Sequence, residues 1–343
     1  MNAAARPPLH ADLKRMAIIA PSWVGDTVMA TPVFRAVRQH CPDAHITVFG
    51  RPGLDDILAG LPYIDACRTL TMSGLFGPRR ASRVLGKVNP DAVLLLPNSF
   101  RSALSVRLSS APVRVGYGRD GRGWLLTHAY DVQKSAEPTS TVLYYARLAE
   151  LACGVESIET KLELAVTDAE REDAAPLLDA LGSSFVILNP GGNKDAKRWP
   201  ADRFARIAEH ITREHGRAVA VSGSPGERDL LNSIVDDAAT EVINLSARGT
   251  TLRTLKAVME RADLLITNDT GPRHIAAALG TPIVSLFGPT DARWTTLTDV
   301  NERLVVSEPF LPSELTADDY PAACAIDRIP VSDVVCIVDS MLA

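Results

Sequence analysis

Four loops in this sequence combine residue types that bind or move charged groups. Asp26 ends the segment Pro21-Ser22-Trp23-Val24-Gly25-Asp26, between an apolar run at Met16–Ala20 and a helical stretch at about Thr27–His40. A carboxylate with a reference pKa of ~3.9 is ionised at neutral pH and accepts the proton of an attacking hydroxyl. At the start of a helix the same residue type also caps free backbone N–H groups. Ser22 and Trp23 would flank an acceptor, with a core position as the alternative for Trp23. The second loop, Asn189 to Pro200, holds Gly191, Gly192, Asn193, Lys194, Lys197 and Arg198. Glycines let the backbone approach a phosphate, and Lys and Arg supply charge to the oxygens of a departing diphosphate. A solvated turn is the plain alternative.

In the third loop, Ser222 to Glu227, the acid either accepts hydrogen bonds from sugar or ribose hydroxyls or favours a helix start. The fourth, Asn268-Asp269-Thr270-Gly271, lies between an apolar run, Leu264–Thr267, and a small-residue helix at about Pro272–Leu279 that carries His274. Thr270 suits the N-cap, Pro272 the first turn and Gly280 the C′ position. A helix start of this kind offers unpaired N–H groups to an anion. Its dipole contributes only ~0.3–1 kcal/mol at an exposed site, so cations must converge there as well.

The elements that must position these loops alternate. Strands are expected at Met16–Ala20, His45–Phe49, Ala66–Leu70, Ala92–Leu96 and Pro112–Val115. The intervening helices fall near Thr27–His40, Leu54–Ala59, Arg79–Lys87 and Phe100–Leu108, and a longer one at Ser140–Ala152 closes this half. After a linker at 153–167 the plan restarts with a helix at Asp168–Leu181. Strands follow at Phe185–Leu188, Ala218–Val221, Glu241–Asn244, Leu264–Thr267 and Ile283–Phe287. Between them come helices at Ala201–His215, Glu227–Ala239, Thr251–Arg261 and Pro272–Leu279. This alternation implies an α/β protein of two doubly wound, Rossmann-like parallel-sheet domains. The expected boundaries are 1–163 and 164–330, with the domains facing across a cleft lined by loops at the strands' carboxyl ends. The last helix, about Val331–Leu342, is expected to pack back against the first domain.

Composition narrows the function. At 343 residues and 46% hydrophobic content, two cores are affordable, and no apolar run approaches the ~18–20 residues of a membrane span. The N-terminal segment has no secretory h-region, and the five cysteines are scattered without a CxxC pair, as in a reduced cytoplasmic protein. Residues 1–165 hold 19 Lys/Arg against 14 Asp/Glu, whereas the remainder holds 17 against 27. A basic first half suits an anionic partner such as a phosphorylated glycolipid, a membrane surface or a nucleic acid, with solvated helix faces as the alternative. No interleaved aromatics or RNA-binding signature support nucleic acid. A GxGxxG match at Gly116–Gly121 follows the fifth strand and is not followed by a small-residue helix, so it carries no dinucleotide reading. There is no Walker lysine loop, HExxH or GxSxG, and no carboxylate cluster that would bind a divalent metal.

Taken together, PSWVGD at 21–26, LPNSFR at 96–101, Pro190-Gly191-Gly192 with AKRWP at 196–200, and Asn268–Leu279 with Phe287-Gly288-Pro289 resemble the bacterial lipopolysaccharide heptosyltransferases, glycosyltransferase family 9. The resemblance covers about residues 16–290 in order. It implies a GT-B architecture, with the acceptor in the first domain and ADP-heptose in the second. It also implies metal-independent, inverting transfer of L-glycero-D-manno-heptose to the lipopolysaccharide inner core at the cytoplasmic face of the inner membrane, with no cofactor and no nucleic-acid partner. By position it makes Asp26 the base and Lys197 the phosphate-binding lysine. Donor contacts are expected at Gly191, Gly192, Asn193, Arg198, Ser224, Glu227, Thr250, Asp269, Thr270, Gly271 and His274. Acceptor contacts are expected at Ser22, Trp23, Gly25, Asn98, Arg101, Arg119 and Arg122. The sequence departs from the family pattern at Asn193 and at the C-terminal segment Ala322–Ala325. The other classes compatible with these residues are a nucleotide-sugar epimerase of the same build and a non-catalytic two-domain binding protein.

Overall fold

A computed structural model describes residues 7–132, 137–307 and 315–343. The chain divides into two compact units, the first running in the main to Leu164 and the second from Ala165 to Ala343.

The first unit runs β1 (Arg15–Ile19), α1 (Val24–Met29), α2 (Thr31–His40), β2 (His45–Gly50), α3 (Leu54–Leu58), β3 (Ala66–Thr69), α4 (Gly77–Gly86), β4 (Ala92–Leu95), α5 (Phe100–Leu108), β5 (Val113–Tyr117), β6 (His128–Tyr130) and α6 (Thr141–Cys153). Its six strands are ordered β3-β2-β1-β4-β5-β6, and every pairing is parallel. The strands β1 and β4 are buried throughout their apolar runs, as a sheet covered on both faces requires. The single helix expected at 27–40 is two, because the chain turns at Ala30 and Pro32 opens the first turn of α2. The strand β6 escaped the sequence reading because His128-Ala129-Tyr130 carries no apolar run.

The second unit repeats the plan: α7 (Asp168–Leu181), β7 (Phe185–Asn189), α8 (Ala201–His215), β8 (Ala218–Val221), α9 (Arg228–Asp237), β9 (Val242–Asn244), α10 (Leu252–Arg261), β10 (Leu264–Asn268), α11 (Gly271–Leu279), β11 (Ile283–Phe287), β12 (Glu302–Val306) and α12 (Val331–Leu342). Strand order is β12-β11-β10-β7-β8-β9, again all parallel, so both units have the same doubly wound topology. A reciprocal Thr167–Glu170 capping box opens α7, and Gly280 ends α11 at φ 83°, where a side chain would be strained. Phe204, Ile207, Ala208 and Ile211 form the buried stripe of α8 and pack with Trp199.

One expectation is corrected. The helix α12 belongs to the second unit, where Val334, Val338 and Leu342 join the core cluster formed with α8 and the strands. Its approach is fixed by Trp199 Nε1, which donates to Ile329 O at 3.0 Å, and by Arg203 Nη1, which donates to the carbonyls of Asp327 (2.6 Å) and Ile329 (2.7 Å). A stripe at i, i+4, i+8 needs an apolar groove, and α8 with β11 and β12 supplies one beside it.

Candidate functional site

In each sheet the order reverses beside the first strand, and loops at the carboxyl ends of the flanking strands form the crevice of a doubly wound domain. In the first unit those loops follow β1 and β4. Asp26 is the third residue of α1, part-exposed and not at the N-cap, which is Trp23. Thr27 Oγ1 donates to the carbonyls of Pro21 (3.3 Å) and Trp23 (3.0 Å), setting the loop that leads to the carboxylate. Burial and then the nearby Asp26 charge push the Tyr145 phenol of α6 well above its usual range.

Trp23 is not core: it is 62% exposed, and the Arg51 guanidinium lies over its ring at 5.7 Å. Ser22, Trp23 and Arg51 line a pocket of about 220 Å³, floored by Leu54 and Ile57. Gly25 is buried within α1. Arg51 was not singled out in the sequence, since only the fold brings the loop after β2 beside the loop after β1.

The expected acceptor cations separate into two groups. Arg101 and Arg119 are exposed. Arg122 is fully buried: Nε donates to Tyr117 O (2.9 Å), Nη1 to the carbonyls of Pro97 (2.5 Å) and Ser99 (3.2 Å), and Nη2 to Asn98 Oδ1 (3.2 Å). Its assignment as an acceptor contact is therefore corrected. It is an internal bracket between carbonyls of the loop after β4 and the end of β5, and burial lowers its pKa. Asn98 is built into the same bracket, with Nδ2 donating to Tyr144 Oη at 2.7 Å.

In the second unit the loops follow β7 and β10, and two buried asparagines pin them together. Asn268 Nδ2 donates to Pro190 O (2.8 Å) and Gly191 O (3.0 Å). Asn189 Nδ2 donates to Ser222 O (2.8 Å), and its Oδ1 accepts from Thr270 Oγ1 (3.0 Å). Neither was named as a site residue in advance, although their matching places at the ends of two adjacent strands were a readable signal. Thr270 occupies the N-cap of α11, but its hydroxyl is turned to Asn189 and makes no cap. The helix start formed by Thr270, Gly271 and Pro272 is thus left without a side-chain cap, a seat suited to an anion.

Lys197 Nζ stands 3.5 Å from Asp269 Oδ2, and Asp269 Oδ1 is 3.6 Å from Arg273. Arg273 is held by Glu302 in a two-point pair at 2.6 and 2.9 Å. His274, in the first turn of α11, is buried with Nδ1 lacking a hydrogen-bond partner among the described residues. Burial and the adjacent Arg273 charge hold its imidazole neutral, well below the usual histidine range.

Glu227 joins loops rather than projecting alone. Its Oε2 accepts from Ser224 N (2.7 Å) and Ser224 Oγ (2.8 Å), and its Oε1 from Gly192 N (2.9 Å). Arg198, expected to face phosphate, instead donates to Gly192 O through Nε (3.0 Å) and Nη2 (2.7 Å) and to Asp195 (2.8 Å). It shapes the glycine loop. Asn193 and Lys194 are exposed at its tip, and Thr250 donates to Leu245 O at 2.7 Å.

Among the described residues, one His/Cys/Asp/Glu trio is close enough to hold a metal: His210, His215 and Asp339. His215 closes α8, at the end away from the glycine loop that precedes that helix.

Two doubly wound parallel-sheet units of the same topology are the build of a GT-B glycosyltransferase. The chain belongs to glycosyltransferase family 9 (heptosyltransferase), whose sequence profile matches residues 79–314. It is similar to lipopolysaccharide heptosyltransferase 2 of Salmonella typhimurium, 27% identical over 296 residues that cover 82% of this chain and 84% of the relative. It is also similar to lipopolysaccharide heptosyltransferase 3 of Escherichia coli, 26% identical over 282 residues, covering 78% and 81%. The solved structure of E. coli ADP-heptose LPS heptosyltransferase II shares the fold at a TM-score of 0.81 and 24% identity, covering 96% of this chain and 98% of that one. No described helix is long and apolar enough to cross a membrane.

Proposed function

We propose that this heptosyltransferase is of type II: it moves L-glycero-D-manno-heptose from ADP-heptose to a heptose hydroxyl of the lipopolysaccharide inner core. The anionic acceptor stays embedded at the cytoplasmic face of the inner membrane while the enzyme, cytoplasmic and peripheral, works on its sugar. The observation that carries the donor side of this reading is the pairing of Lys197 with Asp269 beside the uncapped start of α11, and the similarity to heptosyltransferase 2 favours type II. A diphosphate can replace the acid as the lysine's partner while it takes up the helix N–H groups.

The chemistry then divides between the units. Asp26 takes the proton of the acceptor hydroxyl as its oxygen forms a bond to C1 on the face opposite the diphosphate. The C1–O bond to ADP breaks with its electron pair on the leaving oxygen, and C1 passes through oxocarbenium character. Lys197 and the helix start stabilise the charge where it accumulates. Arg198 and Glu227 hold the glycine loop in shape, and Trp23 with Arg51 offers a sugar-sized pocket at the loop that leads into α1.

Transfer is proposed to need no metal or cofactor, because Asp269 and Glu227 in the donor loops are already engaged by cations and N–H groups. Incubating ADP-heptose with defined truncated cores and weighing the products tests the reading. One added heptose on a core that ends in a single heptose, undiminished by excess EDTA, supports it. Addition only to a heptose-free core would assign type I.

A further inference from the structure

The carboxyl edge of the first sheet carries an uncovered apolar surface. Leu75 is 87% exposed and Phe76 65% exposed, in the loop after β3. Trp124 is 71% exposed after β5, and Phe100 is 44% exposed at the start of α5 after β4. These residues are joined into one surface. The Phe100 and Trp124 rings lie 6.3 Å apart. Arg101, next to Phe100, donates from Nη1 to Met72 O (3.2 Å) and Gly74 O (2.9 Å), fastening the loop that bears Leu75 and Phe76. Arg80 Nη2 donates to Ser73 O at 2.7 Å, so the loop is held at both sides.

Around this surface the exposed charges are almost all positive. Arg79 and Arg119 are exposed there, in addition to Arg80 and Arg101. From 71 to 124 the only acids are Asp91 and Asp120. Asp91 precedes β4, at the opposite edge of the sheet, where it pairs with Arg15 at 2.8 Å. Large apolar side chains in a basic rim match the boundary of an anionic bilayer, with aromatic rings at headgroup depth and guanidinium groups on phosphates.

We propose that Leu75, Phe76, Phe100 and Trp124, rimmed by these arginines, dock the first unit on a bilayer of anionic phospholipid. The inference rests on the reading that the acceptor is a membrane-embedded glycolipid, and it assigns the surface that meets the membrane. Because all six strands are parallel, the loops after β3, β4 and β5 lie at the same edge of the sheet as Asp26 after β1. Docking there brings the base to the membrane side of the unit, where the acceptor's sugars emerge.

Vesicle co-sedimentation of the full chain tests this without donor or acceptor. Vesicles of phosphatidylethanolamine with phosphatidylglycerol should bind the protein, and Trp124 fluorescence should shift to the blue, a shift lost in Trp124→Phe. The triple variant Leu75→Ser, Phe76→Ser, Trp124→Ser should lose at least about tenfold in partitioning while keeping its transfer rate on a deacylated, water-soluble acceptor. Leu75→Ser alone, at the most exposed position, should weaken binding without altering thermal stability. Arg79→Glu with Arg119→Glu should reduce binding to phosphatidylglycerol vesicles and leave the residual affinity for neutral ones. Undetectable vesicle binding by the wild type, or equal binding by the triple variant, overturns the proposal. Self-association through this surface in place of vesicle binding overturns it as well. If vesicles bind but heptose is not transferred, the docking surface stands and the proposed function falls.

Discussion

The Glu227 carboxylate fills the volume that a Cβ on Gly191 would occupy, while its Oε1 accepts the Gly192 N–H at 2.9 Å. The glycine loop after β7 and the loop after β8 are therefore held together by contact as well as by hydrogen bonds. Gly191→Ala should push Glu227 off Gly192 and destabilise the protein by ~1–3 kcal/mol, as overpacking and an unpaired N–H do. Urea denaturation measures the loss and calorimetry the accompanying fall in ADP affinity. In a double-mutant cycle with Glu227→Ala, the two costs should not add, because the clash disappears with the carboxylate.

Lys197 makes its ion pair with Asp269 at 3.5 Å, a loose distance that a phosphate oxygen would improve on. Lys197→Ala should weaken ADP binding by about tenfold, ~1.4 kcal/mol, and slow transfer as well. Unchanged ADP affinity by calorimetry would remove this lysine from the donor site.

Arg122 and Arg119 test the division of the basic residues into internal and external ones. Arg122→Ala removes the guanidinium from the carbonyls of Pro97 and Tyr117, while Ser99 O keeps the Ser102 hydroxyl at 2.7 Å. It should cost ~2–4 kcal/mol of stability in chemical denaturation. Arg119→Ala should leave stability within about 0.5 kcal/mol and weaken acceptor binding, most visibly at low salt.

His274 links the site to pH. Its folded pKa lies below that of the unfolded chain, ~6.5, so the unfolded state takes up the proton first as pH falls. The stability from its neutral form is complete above pH ~6.5 and is lost below it, with a limiting slope of ~1.4 kcal/mol per pH unit. His274→Gln should flatten the dependence between pH ~6.5 and ~5. Equal slopes in the two proteins would show that the imidazole is not held neutral.

The repeated αβ plan was legible because buried parallel strands are continuous apolar runs and the helices between them carry one apolar stripe. Stops such as Gly280 show in the sequence because the left-handed conformation at its φ of 83° favours glycine. The places of the four candidate loops were legible for a related reason: each follows a buried strand, at the edge where a doubly wound topology gathers its loops. The edge strand β12 was not, since three of its five residues are exposed and its polar start breaks the pattern. The burial of Arg122 was not either, because the carbonyls that receive it come from the segments after β4 and at the end of β5, separated by the whole of α5. The role of Arg51 depends in the same way on two loops meeting beside Trp23. The docking of α12 depends on a groove made by α8, β11 and β12, and a stripe of valines does not name its partner.

The assignment of Asp26 as the base is tested most directly by transfer kinetics of Asp26→Asn with ADP affinity measured on the same preparation. Turnover should fall by ~10²–10⁴ with ADP affinity unchanged within about twofold, since only the proton acceptor is lost. A near-normal turnover in this variant would contradict the account.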